Sequence, residues 1–280
     1  MQPPRISIII PSRNRASGLK RSLDALLRDN YPDKEIIVID GASTDGTVEL
    51  LKSYENRICK WVSEPDRGEY DATNKGISIS TGEIIKQMTD DDVQLPGSLQ
   101  AAASYFLEHP EVDIVFGQTA FWDMRLDENP VLIDAKPRVD PGLLTTRNWI
   151  RRAKTPPCYQ AAFFRRRVFD RIGGFATDFV TGDHEFFVRA ARAGVKMGIM
   201  NDRVVDYYFT GDNQALRKKW ADRWGYVRIA LRYGDWRDLT YNFWSKVLFL
   251  PVWDAAATVA HMLGLHPLRW WIKRRAGINR

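Results

Sequence analysis

The sequence predicts an α/β fold: a mainly parallel, doubly wound sheet flanked by helices, with a C-terminal helical extension. Three observations predict it. Short β-branched runs such as Ile6-Ser7-Ile8-Ile9-Ile10 and Glu35-Ile36-Ile37-Val38-Ile39 suit strands covered on both faces. Amphipathic stretches separate the runs, and successive strands start about thirty residues apart, the length of one βαβ unit. Charge then divides the chain. The net charge is +6, yet residues 216–280 carry 13 Lys/Arg against 4 Asp/Glu, which leaves the first 215 residues slightly acidic. We therefore expect an α/β domain over 1–215 and a basic, tryptophan-rich helical extension over 216–280.

The elements follow in order. Pro11 ends the first strand, and Leu19, Leu23, Leu26 and Leu27 recur at helical spacing. After the second strand, Asp40-Gly41-Ala42-Ser43-Thr44-Asp45-Gly46-Thr47 combines turn glycines with residues that cap the helix carrying Val48, Leu50 and Leu51. Ile58 to Val62 reads as the third strand, Tyr70 to Ser80 as a helix, and Ile84 to Met88 as the fourth strand. Pro96 opens a helix through Leu107, and Val112 to Phe116 is a strand. Residues 125–158, rich in proline and charge, read as a long loop with short elements. Ala161 to Phe164 is a strand and Arg166 to Ile172 a helix stopped by Gly173-Gly174. Asp183 to Gly194 begins with acids and ends with arginine and glycine, the polarity that suits a helix dipole and a glycine cap.

A chain of 280 residues can bury a full core. Cys59 and Cys158 have neither ligand spacing nor a disulfide framework, which suits a reducing compartment. The N-terminus carries no signal-like segment. No apolar run reaches the roughly 18–20 residues that span a bilayer. The expected location is cytoplasmic, on the inner face of the membrane.

The chemistry concentrates at strand ends. Asp90-Asp91-Asp92 directly follows the fourth strand. Adjacent carboxylates repel one another unless a cation lies between them, and magnesium-type ions bind through one or two carboxylates plus substrate phosphates. A solvated acidic turn is the alternative. In doubly wound sheets, ligands bind beyond the carboxyl ends of the strands. Pro11-Ser12, Asp40-Gly41 and the acidic run all fall there.

Five ordered segments carry a family resemblance. They are Ser7 to Arg15, Ile39 to Thr47, Ser63 to Gly76 (Ser-Glu-Pro-Asp-Arg-Gly-Glu-Tyr-Asp-Ala-Thr-Asn-Lys-Gly), the acidic triplet, and Gly173-Gly174-Phe175 followed by Asp183. The chain resembles a family 2 glycosyltransferase with the GT-A fold, of the bacterial surface-polysaccharide type, over roughly residues 5–210. The resemblance implies a donor-nucleotide site at Pro11, Ser12, Arg13, Asp40, Arg67, Asn74 and Asp91, with Asp40 reading the base. It implies Mn2+ or Mg2+ at Asp92 and Asp91, and Asp183 as the base that deprotonates an acceptor hydroxyl in inverting transfer. Helix capping is the plainer role for Asp40 and Asp183. Asp66 is a turn residue within reach of the base. Asp90, His184, Glu185 and Tyr159 depart from the family's usual residues, whereas Gly182 is the small residue that members often carry before the aspartate. The implied partners are a nucleotide-sugar donor, with uridine as the default base, and a saccharide or lipid-linked acceptor.

In the extension, Leu216, Trp220, Trp224, Val227 and Leu231 recur at helical spacing, with Lys and Arg between them. Leu268 to Arg275 repeats the mixture. Tryptophan and basic residues on amphipathic helices mark a membrane-surface anchor. Packing on the α/β domain or in a homo-oligomer is the alternative. No nucleic-acid partner is expected, because the motifs account for a sugar–phosphate ligand. The competing functions are a sugar-nucleotide nucleotidyltransferase and a non-catalytic sugar-nucleotide or membrane-binding module.

Overall fold

The computed structural model describes residues 3–124, 131–134, 142, 144–151, 158–209 and 219–249. Leu216, Lys218, much of the 125–158 loop and everything after 249 lie outside the described residues.

The first half alternates as expected: β1 (Ile6–Ser12), α1 (Ala16–Arg28), β2 (Lys34–Asp40), α2 (Thr47–Ser53), β3 (Lys60–Ser63), α3 (Glu69–Ile79) and β4 (Ile84–Gln87). There follow β5 (Val93–Gln94), α4 (Ser98–Glu108), β6 (Ile114–Asp123), β7 (Val131–Asp134), α5 (Thr146–Arg151), β8 (Ala162–Arg165), α6 (Arg166–Ile172), α7 (Gly182–Arg192) and β9 (Met197–Phe209). The sheet order is β3-β2-β1-β4-β8-β6-β9-β5, with β7 also paired to β6. Strands β3, β2, β1 and β4 are parallel. Strand β8 runs antiparallel to both β4 and β6, and β5 antiparallel to β9.

The period of two in β1 divides the core. Ile6, Ile8 and Ile10 face one cluster with Leu19, Leu23, Leu26 and Leu99. Ile9 faces the other, an aromatic cluster with Phe164, Phe175, Phe186, Phe187 and Trp149. The register also sets the site. Ser12 lies opposite Asp40, and Asp40 opposite Ser63, so three polar residues share one level at the strand ends.

Some boundaries differ from expectation. Ile58 is buried before β3, which starts at Lys60. Strand β6 continues to Asp123, because β9 pairs with it from Ile114↔Met197 to Asp123↔Phe209. The sequence reading missed β9. Its pairing slips near Gln118, and Asn201, Asp202 and Arg203 are consecutively exposed, so the alternation that marks a strand is broken.

The extension begins with α8 (Lys219–Tyr233) and α9 (Trp236–Asn242), followed by a π-helical turn, Phe243–Phe249. The apolar stripe is divided: Trp220 is 56% exposed, Trp224 46% and Leu231 65%, while Val227 is buried together with Tyr226, Ile229 and Ala230. Gly225 permits this packing, since a Cβ there would lie 2.6 Å from Thr181 Oγ1 at the start of α7. Asn242 Nδ2 donates to Ile150 O and Tyr226 O, and Asp238 accepts from Arg151 Nε at 2.5 Å, so α5, α8 and α9 form one unit.

Candidate active site

Two loops meet above β1 and β2. Asn14 and Ala42 both have positive φ, 55° and 57°, a conformation unusual outside glycine. Hydrogen bonds join the loops: Asn14 N–H donates to Ser43 Oγ at 2.7 Å, and Thr44 N–H to Asn14 Oδ1 at 2.8 Å. Asp40 is fully buried and organises this floor. Its carboxylate accepts from Ser43 N–H at 3.0 Å, from Ser43 Oγ, and from Ser63 Oγ at 2.6 Å. Gly41 lies against Arg13 and Asp66; a Cβ there would sit 2.4 Å from Asp66 Oδ2. Pro11 and Ser12 are buried at the end of β1, and Arg13 is exposed beside them.

The acidic turn is anchored from α1. Arg21 donates to Asp91 O at 2.8 Å, and Ser22 Oγ to Asp92 O at 2.5 Å. Ser12 Oγ donates to Asp90 Oδ2 at 2.8 Å, which connects the β1 loop to the triplet. Burial, then the neighbouring Asp91 charge, push the Asp90 carboxyl well above the usual range. Asp92 is 1% exposed and accepts from Thr89 Oγ1. Burial is the main cause of a rise to about 7, with Asp91 adding to it. Lys86, fully buried, lies near enough for its charge to oppose that rise. Burial lowers Lys86 itself to about 7; its Nζ donates to Gln87 O at 2.9 Å and to Gln160 O.

A third element closes the cleft. Asp183 is half-buried in the first turn of α7, and Tyr70 donates its hydroxyl to Asp183 Oδ1 at 2.9 Å. Gly182 permits this approach, because a Cβ there would lie 2.7 Å from the Tyr70 ring. Burial, then the Asp183 charge, raise the Tyr70 hydroxyl well above its ordinary value, so it remains a donor. Next to Tyr70, Glu69 keeps partial exposure. Burial, then the charges of Asp183, Asp92 and Asp91, raise its carboxyl to about 7. One carboxyl on α3 thus lies within the fields of both the acidic turn and Asp183.

Two residues expected at the nucleotide are engaged elsewhere. Asn74 spends both ends of its amide on Phe175, donating to its carbonyl and accepting from its N–H, each at 2.8 Å. It therefore ties α3 to the Gly173-Gly174-Phe175 turn. Arg67 is turned outward, with its side chain 77% exposed and paired to Asp71 at 3.0 Å. Glu185 accepts from Arg189 and Tyr233, a structural link between α7 and α8. His184 packs between Trp149 and Tyr226. The sequence reading missed Arg21, Ser22, Lys86 and Glu69. Glu69 alone left a trace, as an acid beside Tyr70 in a quoted motif.

Among the described residues, no group of three or more His, Cys, Asp or Glu converges to hold a metal. Mg2+ and Mn2+ need no such cage, since they take one or two carboxylates and complete their shell with phosphate and water. Asp91 Oδ1 is buried without a hydrogen-bond partner among the described residues, and Asp92 is adjacent. An unmet Asp91 oxygen beside the buried Asp92 carboxylate at a strand end fits a divalent cation of that kind.

The model for Glycosyl transferase family 2 matches residues 7–173. A PGL/p-HBAD biosynthesis glycosyltransferase of Mycobacterium bovis is 28% identical over 200 residues, covering 68% of this chain and 70% of that one. An uncharacterized glycosyltransferase of Mycobacterium tuberculosis is 31% identical over 193 residues, covering 67% and 69%. Among solved structures, the mannosyltransferase PcManGT from Pyrobaculum calidifontis, in complex with GDP-Man and Mn2+, superposes with a TM-score of 0.68 at 22% identity, covering 99% of this chain and 86% of that one. S. aureus TarS 1-349 in complex with UDP-GlcNAc gives 0.64 at 16% identity, covering 86% and 73%. Of a longer TarS chain the present one spans 41%. At these identities the likeness is one of fold, the GT-A type.

Proposed function

Since the chain belongs to glycosyl transferase family 2, we propose that it moves a sugar from a nucleoside-diphosphate sugar to an acceptor hydroxyl, with inversion at the anomeric carbon. One observation carries the reading: Glu69 is near enough to Asp183, Asp92 and Asp91 for all three charges to act on its carboxyl. A donor sugar seated there would have its diphosphate at the acidic turn and its anomeric carbon facing Asp183.

Pro11, Ser12 and Arg13 would border the base and ribose, with Asp40 as the floor beneath them. Asp91 and Asp92 would hold a divalent cation, which when bound neutralises charge on the departing diphosphate. Asp183 takes the proton of the attacking hydroxyl. Tyr70 keeps one Asp183 oxygen occupied and so orients the other. A uridine donor is the default. Nucleotidyl transfer is the competing chemistry, and the product separates them: glycosyl transfer releases a nucleoside diphosphate, nucleotidyl transfer pyrophosphate.

The test is calorimetric titration with UDP-, GDP- and dTDP-sugars, with and without Mn2+, at pH 8 and pH 6. A cation must displace the proton from Asp92, whose carboxyl is raised to about 7. Manganese-dependent affinity should thus be full above that value and fall roughly tenfold per pH unit below it, for one displaced proton. Metal-independent binding, or equal binding at both pH values, would refute the metal assignment.

The acceptor we propose is a lipid-linked saccharide of polysaccharide, O-antigen or capsule assembly, reached from the membrane surface. The support is the outward face of the extension. Trp220, Trp224, Leu231, Trp236 and Trp244 are exposed there beside Arg223, Arg228 and Arg237. That mixture suits the headgroup region of a bilayer. Among the described residues no helix is long and apolar enough to cross one. Replacing Trp220, Trp224 and Trp244 together by serine should abolish co-sedimentation with anionic vesicles. Unchanged partition would sink the membrane reading, and a loss of dimer instead would assign the face to a second copy.

A further inference from the structure

One wall of the cleft has no role in the reaction as described. We assign to it Glu69 at the start of α3, Gln87 at the end of β4 and Tyr159 in the turn before β8. Gln87 Nε2 donates to Glu69 Oε1 at 3.2 Å. That bond fixes the amide and directs its carbonyl oxygen away from Glu69. Gln87 Oε1 and the Tyr159 hydroxyl are both buried without a hydrogen-bond partner among the described residues. Their residues are 1% and 5% exposed. Folded chains rarely leave buried polar atoms unmet, so beside a cleft such atoms are available to a ligand or to water. The Tyr159 hydroxyl lies within the fields of Glu69 and Asp183. Glu69 thus neighbours both Gln87, by the hydrogen bond, and the Tyr159 hydroxyl.

Their chemistry narrows the ligand. Glu69 and Gln87 Oε1 accept hydrogen bonds, and the Tyr159 hydroxyl donates or accepts. A phosphate suits them poorly, because Glu69 and Gln87 Oε1 would meet its acceptors with acceptors and the Tyr159 hydroxyl alone could donate. A base is already accounted for by the loops above β1 and β2. What remains is a ligand with several adjacent hydroxyl groups, held between the acidic turn and Asp183. We propose that Glu69, Gln87 and Tyr159 grip the hydroxyls of the transferred sugar and select a neutral hexose over a uronic acid. The inference rests on the donor-site reading above. Its selectivity arises because a uronate carboxylate would face two acceptors with no proton to share.

The experiment uses the full chain at pH 8 with Mn2+. Calorimetry compares UDP, UDP-glucose, UDP-galactose and UDP-glucuronate, and GDP with GDP-mannose. Wild type should bind a neutral nucleotide-hexose more tightly than the matching diphosphate and should discriminate against UDP-glucuronate. Glu69→Gln keeps the shape of the side chain, and Tyr159→Phe keeps its ring against Phe164 and Phe175. Each should cut the hexose-to-diphosphate affinity ratio about tenfold, the scale of one lost hydrogen bond to a charged or buried group. Diphosphate affinity should be unchanged, and Glu69→Gln should relax the bias against glucuronate. An unaltered ratio in folded Glu69→Gln and Tyr159→Phe would overturn the pocket while the donor site stands. Wild type that binds neither diphosphate would remove the donor reading and the pocket with it.

Discussion

Asp183→Asn should lower donor turnover by roughly 10²–10⁴-fold, the range set by a positioned general base, and leave nucleotide-sugar affinity within about twofold. The substitution is nearly isosteric. The new amide still offers an oxygen to Tyr70, whose hydroxyl is 2.9 Å from Asp183 Oδ1 in the wild type. What disappears is the capacity to accept a proton. Release of nucleoside diphosphate from the donor, with water or a saccharide as acceptor, measures the rate, and calorimetry measures binding. A folded Asp183→Asn protein that no longer binds donor would assign Asp183 to the ground state and refute its role as base. Tyr70→Phe supplies the graded control, since it frees the second oxygen without removing the base.

Asp92→Asn should eliminate manganese-dependent donor binding and, at pH 8, raise the melting temperature of the metal-free protein. The second effect follows from linkage. Burial raises the Asp92 carboxyl from an ordinary 3.8 to about 7. The folded state therefore holds a proton that the unfolded state has released. Stability is greatest below the unfolded value, declines as pH rises from about 4 to about 7, and is flat above. Asparagine removes the ionisation and with it a burden of a few kcal/mol at pH 8. Thr89 Oγ1 retains an acceptor in the variant. Wild type should recover stability on adding Mn2+ at pH 8, and Asp92→Asn should not. A variant less stable than wild type at pH 8 would refute the burial of the Asp92 charge, and one whose donor binding still needs manganese would show that Asp92 is not the ligand.

Both effects originate in a site whose parts were unequally legible. Residues 6–12, 34–40 and 84–87 announce buried parallel strands, because they lack polar alternation and recur at βαβ spacing. The rule that ligands bind at the carboxyl ends of such strands then nominates Ser12, Asp40 and the acidic turn without coordinates. Asp183 was nominated by its place at a helix start and by its order after Gly173-Gly174-Phe175.

Tertiary structure decided most of the rest, through contacts between segments far apart in the chain. Asn74 stands in a quoted motif, yet its amide is satisfied by Phe175, 101 residues later. No local pattern foretells that match. Arg67 is turned outward by Asp71, a partner four residues away that competes with any ligand. On α8, close approach to α7 requires Gly225 and buries Tyr226, Val227, Ile229 and Ala230, which leaves Trp220 and Trp224 outward. Glu69, Gln87 and Tyr159 come from three separate segments, and only the tertiary fold brings them near one another. The sequence by itself determined the strands, their order along the chain and the acids at their ends, since these depend on periodicity and local chemistry. Which polar atoms remain unspent was decided by the fold, because a hydrogen-bonding group is free only when every neighbour in space has been counted.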